Sequence, residues 1–210
     1  MKADLAVDIE TVIQPATASD VEAFMADYEP PGNYKTDEAI HRHYEKTKAT
    51  AIEKIEDERR FSFGKKTMVS AAIGLVGDRT SIQSWQSEDS KVIAEGLVAY
   101  LNDYHEYRLI GWNHEEFDLP EISKAFYLAG VRPKYRPGKW DVIDLCRRPF
   151  YKKKMKEVAA GYGLEVLDVG AKDVGRLVAE GNWPELKRYN EHDVYLTGEI
   201  FRAASTIFSF

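Results

Sequence analysis

The chain has 210 residues, 44% of them hydrophobic and 30% charged, with one cysteine, Cys146. That length fits one domain with room for an insertion and a sizeable core, and aromatics at 12% exclude a disordered or low-complexity chain. No run approaches the roughly 18 apolar residues of a membrane span, the start lacks a signal peptide's apolar core, and a lone cysteine makes no intramolecular disulfide or cysteine-based metal site, so a soluble, cytoplasmic protein without a membrane partner is expected.

In chain order, Leu5 to Ile13 is a short β-branched apolar run interrupted by two acids and reads as a central strand. A turn-forming stretch at Tyr28 to Asn33 precedes residues 36 to 60, which are highly charged with Ile40, Tyr44, Ala51, Ile52 and Ile55 near helical spacing; this predicts an amphipathic helix inside an insertion over about 14 to 66. Thr67 to Val76 and Thr80 to Gln86 read as a hairpin about Gly77-Asp78-Arg79. A helix capped by Ser87 or Asp89 follows through Tyr104, then a strand at Arg108 to Trp112 and a helix ending before Gly130. Residues 141 to 146 fit either a strand or a helical turn. Met155 to Tyr162, Ala171 to Glu180 and Pro184 to Ser205 read as helices. This order favours a single α/β domain with a mixed sheet flanked by helices.

The net charge of −6 is a sum over unlike regions. Residues 132 to 156 carry +8 and the remaining 185 carry −14. A basic segment on an acidic body suits a protein that grips phosphates in one place and concentrates carboxylates in another, although a solvated Lys-rich loop has the same composition.

Three groups of acids break the local pattern. Asp8 and Glu10, two apart in a strand, put both carboxylates on one face about 7 Å apart. Like charges on a core strand resist joint ionisation and call for a cation, unless the strand end reaches solvent. Asp118 follows a strand within Asn113-His114-Glu115-Glu116-Phe117-Asp118; with Glu121 it also forms a capping box, a role compatible with rigid placement of a ligand. Tyr189 and Asp193, four apart on the last helix, share a face, as solvated residues also do.

Taken together, Asp8-x-Glu10, Asn113-x-x-x-Phe117-Asp118 and Tyr189-x-x-x-Asp193 resemble the three motifs of the DEDDy branch of the DEDD 3′-to-5′ exonucleases, nearest to the family B DNA polymerase proofreading domain and its stand-alone relatives. The resemblance spans almost the whole chain and implies an RNase H-like sheet flanked by helices, with the charged helical insertion after the first strand as a departure. It implies a two-metal-ion hydrolysis: Asp8 bridging two Mg2+ ions, with Mn2+ as substitute, Glu10 and Asp193 completing one site and Asp118 serving the other. Tyr189 is then expected to orient the attacking water. Asn113 and Phe117 match positions that contact and stack on terminal nucleotides, and Thr11 matches a backbone contact to the 3′ end. Lys152, Lys153 and Lys154, from their charge alone, are candidates to track the phosphates. His192 lies one residue before Asp193, not five as in the histidine-type enzymes, and reads as a helix-surface residue, as do His41 and His43.

The expected activity is removal of nucleoside monophosphates from single-stranded DNA 3′ ends. Action on RNA ends is the alternative, since no motif reads the 2′-hydroxyl. A catalytically silent nucleic-acid-binding module is the alternative of another class, against which four acids that repel phosphate count.

Overall fold

The first strand, β1 (Ala3–Ile13), is the centre of the sheet in the computed structural model, which describes residues 2–62, 64–77, 80–135, 142–147 and 150–209. Two compact units are present: Met1–Val12 with Met68–Phe210, and Ile13–Thr67. The sheet has the order β3-β2-β1-β4-β5, with β2 at Lys66–Leu75, β3 at Ser81–Gln86, β4 at Tyr107–Gly111 and β5 at Val142–Asp144. β2 and β3 pair antiparallel, whereas β4 pairs parallel with both β1 and β5. The end of β2 meets the start of β1, Val76 N donating to Asp4 O at 2.8 Å, so β2 opposes β1. This is the mixed α/β sheet of an RNase H-like fold.

Alternation along β1 divides its residues between two layers. Leu5, Val7 and Ile9 pack with Ile93, Leu97 and Leu101 of α4 (Ser90–Leu101) and Ile122 and Ala125 of α5 (Asp118–Ala129). Burial of each such leucine or isoleucine contributes about 1.5–3 kcal/mol. Ala6 packs with Ala72 and Val194, the latter on α8 (Trp183–Ser205). The small residues here let α8 lie close: a Cβ on Gly74 would come within 3.1 Å of Val194 Cγ1. α6 (Met155–Gly161) and α7 (Val174–Ala179) complete this layer.

Several local expectations are refined by the structure. Asp89 caps α4, its Oδ1 accepting from Lys91 N at 2.9 Å. The 141 to 146 stretch is both alternatives in series, with β5 followed by a 3-10 turn at Leu145–Arg147; Asp141 lies outside the described residues, as do Asp78 and Arg79 of the expected hairpin turn. The expected 36 to 60 helix is two helices, α2 (Asp37–Ala49) and α3 (Ala51–Phe61). They break at Thr50, whose hydroxyl donates back to Lys46 O and Thr47 O instead of leaving the backbone to continue. An unexpected helix, α1 (Ala18–Ala26), starts at a capping box of Thr17 and Asp20. Within the same unit the Arg59 guanidinium donates to Gln14 O and Pro15 O and pairs with Asp20 at 2.6 Å. His43 meets the Tyr28 hydroxyl through Nδ1 at 2.6 Å and is half-buried, while His41 is exposed. No helix among the described residues is long and apolar enough to cross a membrane.

Candidate metal centre

Asp8 and Glu10 lie on the β1 face that α8 covers, because α8 turns its buried stripe of Leu186, Tyr189, Asn190, Asp193, Val194 and Thr197 toward the sheet. Asp8, Glu10 and Asp193 each bring a carboxylate oxygen within 4.8 Å of the other two. Glu10 and Asp193 are only 7% and 6% exposed, so water does little to separate these charges. Asp118 joins from the first turn of α5, and its Oδ1 accepts from Ile9 N at 3.0 Å, between the two acids of β1. The helix takes Phe117, not Asp118, as its N-cap, so Asp118 is its first residue, and buried Glu121 pairs with Lys124.

The electrostatics follow from this crowding. Burial, then the charges of Asp118, Glu10 and Asp193, holds Asp8 well above the ordinary carboxylate range. Burial, then Asp193 and Asp118, does the same to Glu10, opposed by a hydrogen bond from Tyr189. Burial pushes Asp193 up to about 6, against the lowering effect of the Tyr189 hydrogen bond and the Lys156 charge. The Tyr189 phenol is raised by burial and by Glu10, Asp193 and Asp8, so it is a proton donor at neutral pH. Clustered hard oxygens that resist joint ionisation, with waters free to complete the shell, are a donor set suited to a divalent cation such as Mg2+ or Mn2+.

Residues beyond the motifs hold the cluster. Fully buried Asn190 donates from Nδ2 to Asp8 Oδ2 at 2.6 Å, and its Oδ1 accepts from Ser70 Oγ at 2.6 Å. Ser70 in turn accepts from Gln86 Nε2 at 3.2 Å. Nothing in the sequence marks this, since Ser70 and Asn190 are 120 positions apart. Asn190→Ala leaves Ser70 and Asp8 without these partners; an expected loss of about 1–3 kcal/mol is read by urea unfolding. Its Mn2+ affinity, read by calorimetry, is expected to fall about 10- to 100-fold.

Asn113 stands exposed after β4 in the left-handed region at φ 58°, its N–H donating to Asp144 Oδ1 at 3.1 Å. Arg147 ties the same loop down, meeting Glu115 at 2.8 Å, Glu116 at 2.7 Å and Asp144 at 3.6 Å. Phe117 is half-buried at the α5 N-cap, and Thr11 is half-buried on β1. Beneath the loop, the buried His114 ring fills the space over Gly111, where a Cβ would sit 2.4 Å from the ring's Cγ. A rigid ring cannot yield as a flexible chain would, so Gly111→Ala is expected to destabilise by about 1–3 kcal/mol, measured by thermal unfolding.

Lys152, Lys153 and Lys154 are exposed, and none of them is among the charges that act on Asp8, Glu10 or Asp193. The cation that acts on the cluster is Lys156, whose Nζ donates to Leu167 O and Val169 O while its charge lowers Asp193. Composition placed Lys156 in the same basic run as Lys152, Lys153 and Lys154, and only the fold separates it from them. His192 is half-buried, its Nε2 3.0 Å from Glu165 O.

The same fold occurs in the family B DNA polymerase from the hyperthermophilic archaeon Pyrobaculum calidifontis, at a TM-score of 0.58 and 17% identity. The likeness is one of fold. It covers 96% of this chain and 24% of the polymerase chain, so the present chain spans about a quarter of that protein's length. No family model matches the chain, and no curated protein does.

Proposed function

We propose that this chain is a metal-dependent 3′-to-5′ exonuclease that hydrolyses phosphodiester bonds at the ends of single-stranded DNA and releases nucleoside monophosphates. The observation that carries this reading is the convergence of Asp8, Glu10 and Asp193 within 4.8 Å, from two elements far apart in the chain. Four acids that repel one another and would repel phosphate have no use in a pure binder. The fold shared with the polymerase and the order of the three motifs support the same reading.

Asp8, Glu10 and Asp193 would hold one divalent ion, and Asp8 with Asp118 a second. Bound ions of this kind neutralise charge on the phosphoryl group and make water a better nucleophile near pH 7. The chain's own groups do the rest. Tyr189 keeps its proton and reaches Glu10 and Asp193, so it would orient a water through its phenol oxygen, with its hydrogen held by the acids, rather than act as a base. Ile9 N fixes Asp118, and Asn190 fixes Asp8, so the acids keep their positions without rearranging around each substrate. Asn113, Phe117 and Thr11 would contact the terminal nucleotides.

The test is incubation of 5′-labelled single-stranded DNA and RNA of one sequence with the purified protein and Mg2+, Mn2+ or EDTA. A metal-dependent ladder shortening from the DNA 3′ end is the expected result. A ladder on RNA alone would transfer the activity to RNA ends, and intact substrate in every lane from folded protein would overturn the enzyme reading.

A further inference from the structure

We propose that Tyr151 and Tyr162 form a base-stacking platform for single-stranded DNA, with Lys152, Lys153 and Lys154 meeting the phosphates; this rests on the nuclease reading. Tyr151, in the turn before α6, is 66% exposed and Tyr162, at the C-cap of α6, 41%, and solvent exposure of two aromatic rings at the two ends of one short helix has no packing benefit. The ring of Phe150 meets that of Tyr162 edge-on at 6.2 Å, and together they line a cleft of about 370 Å3 with Lys153, Glu157, Val158 and Gly161. A planar base fits such an aromatic wall, and Glu157 offers an acceptor for a base N–H.

The backbone presents these groups outward. Lys153 N donates to Phe150 O at 2.9 Å, closing a turn with Tyr151 and Lys152 at its tip, and Lys152 takes the left-handed region at φ 63°. The Lys152 ammonium lies 5.2 Å from the Tyr151 ring centroid, so ring and charge are offered together. Lys152, Lys153 and Lys154 form no ion pair among the described residues, and their charge complements a phosphate backbone.

Two contacts attach this surface to the site. Phe150 stacks on Trp112 at 5.9 Å, and Trp112 immediately precedes Asn113. At the other end, Lys156 acts on Asp193. The stretch from Phe150 to Lys156 thus joins the loop that carries Asn113 to the lysine whose charge acts on Asp193, and a strand with its 3′ end at the acids would follow it. Stacking on tyrosine tolerates any base, as an enzyme that removes every nucleotide in turn requires.

The test uses the full chain in EDTA with single-stranded DNA carrying 2-aminopurine at successive positions from the 3′ end. Wild type is expected to quench the probe at one or two positions. Tyr151→Ala and Tyr162→Ala are each expected to weaken binding about 5- to 150-fold and to abolish quenching at one position, whereas Tyr151→Phe, which keeps the ring, restores both. Lysine-to-alanine variants at 152 to 154 are expected to flatten the salt dependence while retaining quenching. No quenching by wild type, alanine variants that bind as wild type does, or a phenylalanine variant no better than alanine would overturn the platform. A metal-dependent ladder with unaffected tyrosine variants removes the platform and leaves the nuclease. Quenching lost in the tyrosine variants without any cleavage by wild type removes the nuclease and keeps the platform.

Discussion

Asp8→Asn is expected to lower DNA hydrolysis by about 10³-fold or more, since a lost metal site forfeits several kcal/mol of transition-state stabilisation. The same change is expected to stabilise the metal-free protein at pH 8. Asparagine still offers an oxygen to Asn190 Nδ2, so the 2.6 Å hydrogen bond can persist while the charge that opposes Asp118, Glu10 and Asp193 is gone. Asp8→Ala removes the charge too, but it also strands the buried Asn190 amide, at a cost of about 1–3 kcal/mol. The asparagine variant should therefore unfold at a higher urea concentration than alanine, with both inactive. Equal activity of Asp8→Asn and wild type would remove Asp8 from the chemistry. Tighter DNA binding by Asp8→Asn, together with a wild type that never cleaves, would favour the silent binding module.

Mg2+ or Mn2+ is expected to raise the unfolding temperature strongly at pH 8 and hardly at all at pH 5. The sign follows from the direction of the shifts. Asp8, Glu10 and Asp193 all have native pKa values raised above their unfolded ones. Their native protons stabilise the fold fully below the unfolded carboxylate range, near pH 4, and this contribution is lost as pH rises through the native values, about 6 for Asp193. The metal-free cluster is thus most costly at alkaline pH. A cation competes with those protons, and at 100 times its dissociation constant it stabilises by about 2.7 kcal/mol. Thermal unfolding at pH 5, 6, 7 and 8, with metal or EDTA, reads the effect. Subtracting the same series for Asp8→Asn cancels titrations elsewhere, such as that of His114, which burial pushes down to about 4. A metal shift of equal size at pH 5 and pH 8 would rule out these carboxylates as the ligands.

The fold class and the acids that meet were legible because they violate a pattern. Two acids in an apolar strand and one at a strand-to-helix junction stand out against β and helical periodicity, and Tyr189 with Asp193 needed only helical spacing to share a face. Features that depend on long-range contacts were not legible. Asn190 is unremarkable in the sequence, and its role arises from Ser70 and Asp8 on other elements. Lys156 counted as one more charge in a basic run, until the fold turned its ammonium to Leu167 O and Val169 O. Asp144 sits in a stretch that fitted two conformations, and register beside Gly111 is what brings it to Asn113. The break at Thr50 and the helix after Thr17 did have local signals, a back-bonding threonine and a capping box, but the helical spacing of Ile40, Tyr44, Ala51, Ile52 and Ile55 outweighed the first and the second lay in a stretch read only as insertion.

The row from Gln86 through Ser70 and Asn190 to Asp8 has a polarity. Ser70 has one hydroxyl hydrogen and gives it to Asn190 Oδ1, so it can only receive from Gln86. With its oxygen engaged, the Asn190 amide must turn its NH2 toward Asp8, and Asp8 Oδ2 is permanently an acceptor. Any proton held by Asp8 is confined to Oδ1. A cation arriving in exchange for that proton meets a carboxylate already facing the right way, and the identity of a side chain on the outermost pair of strands decides which oxygen is on offer.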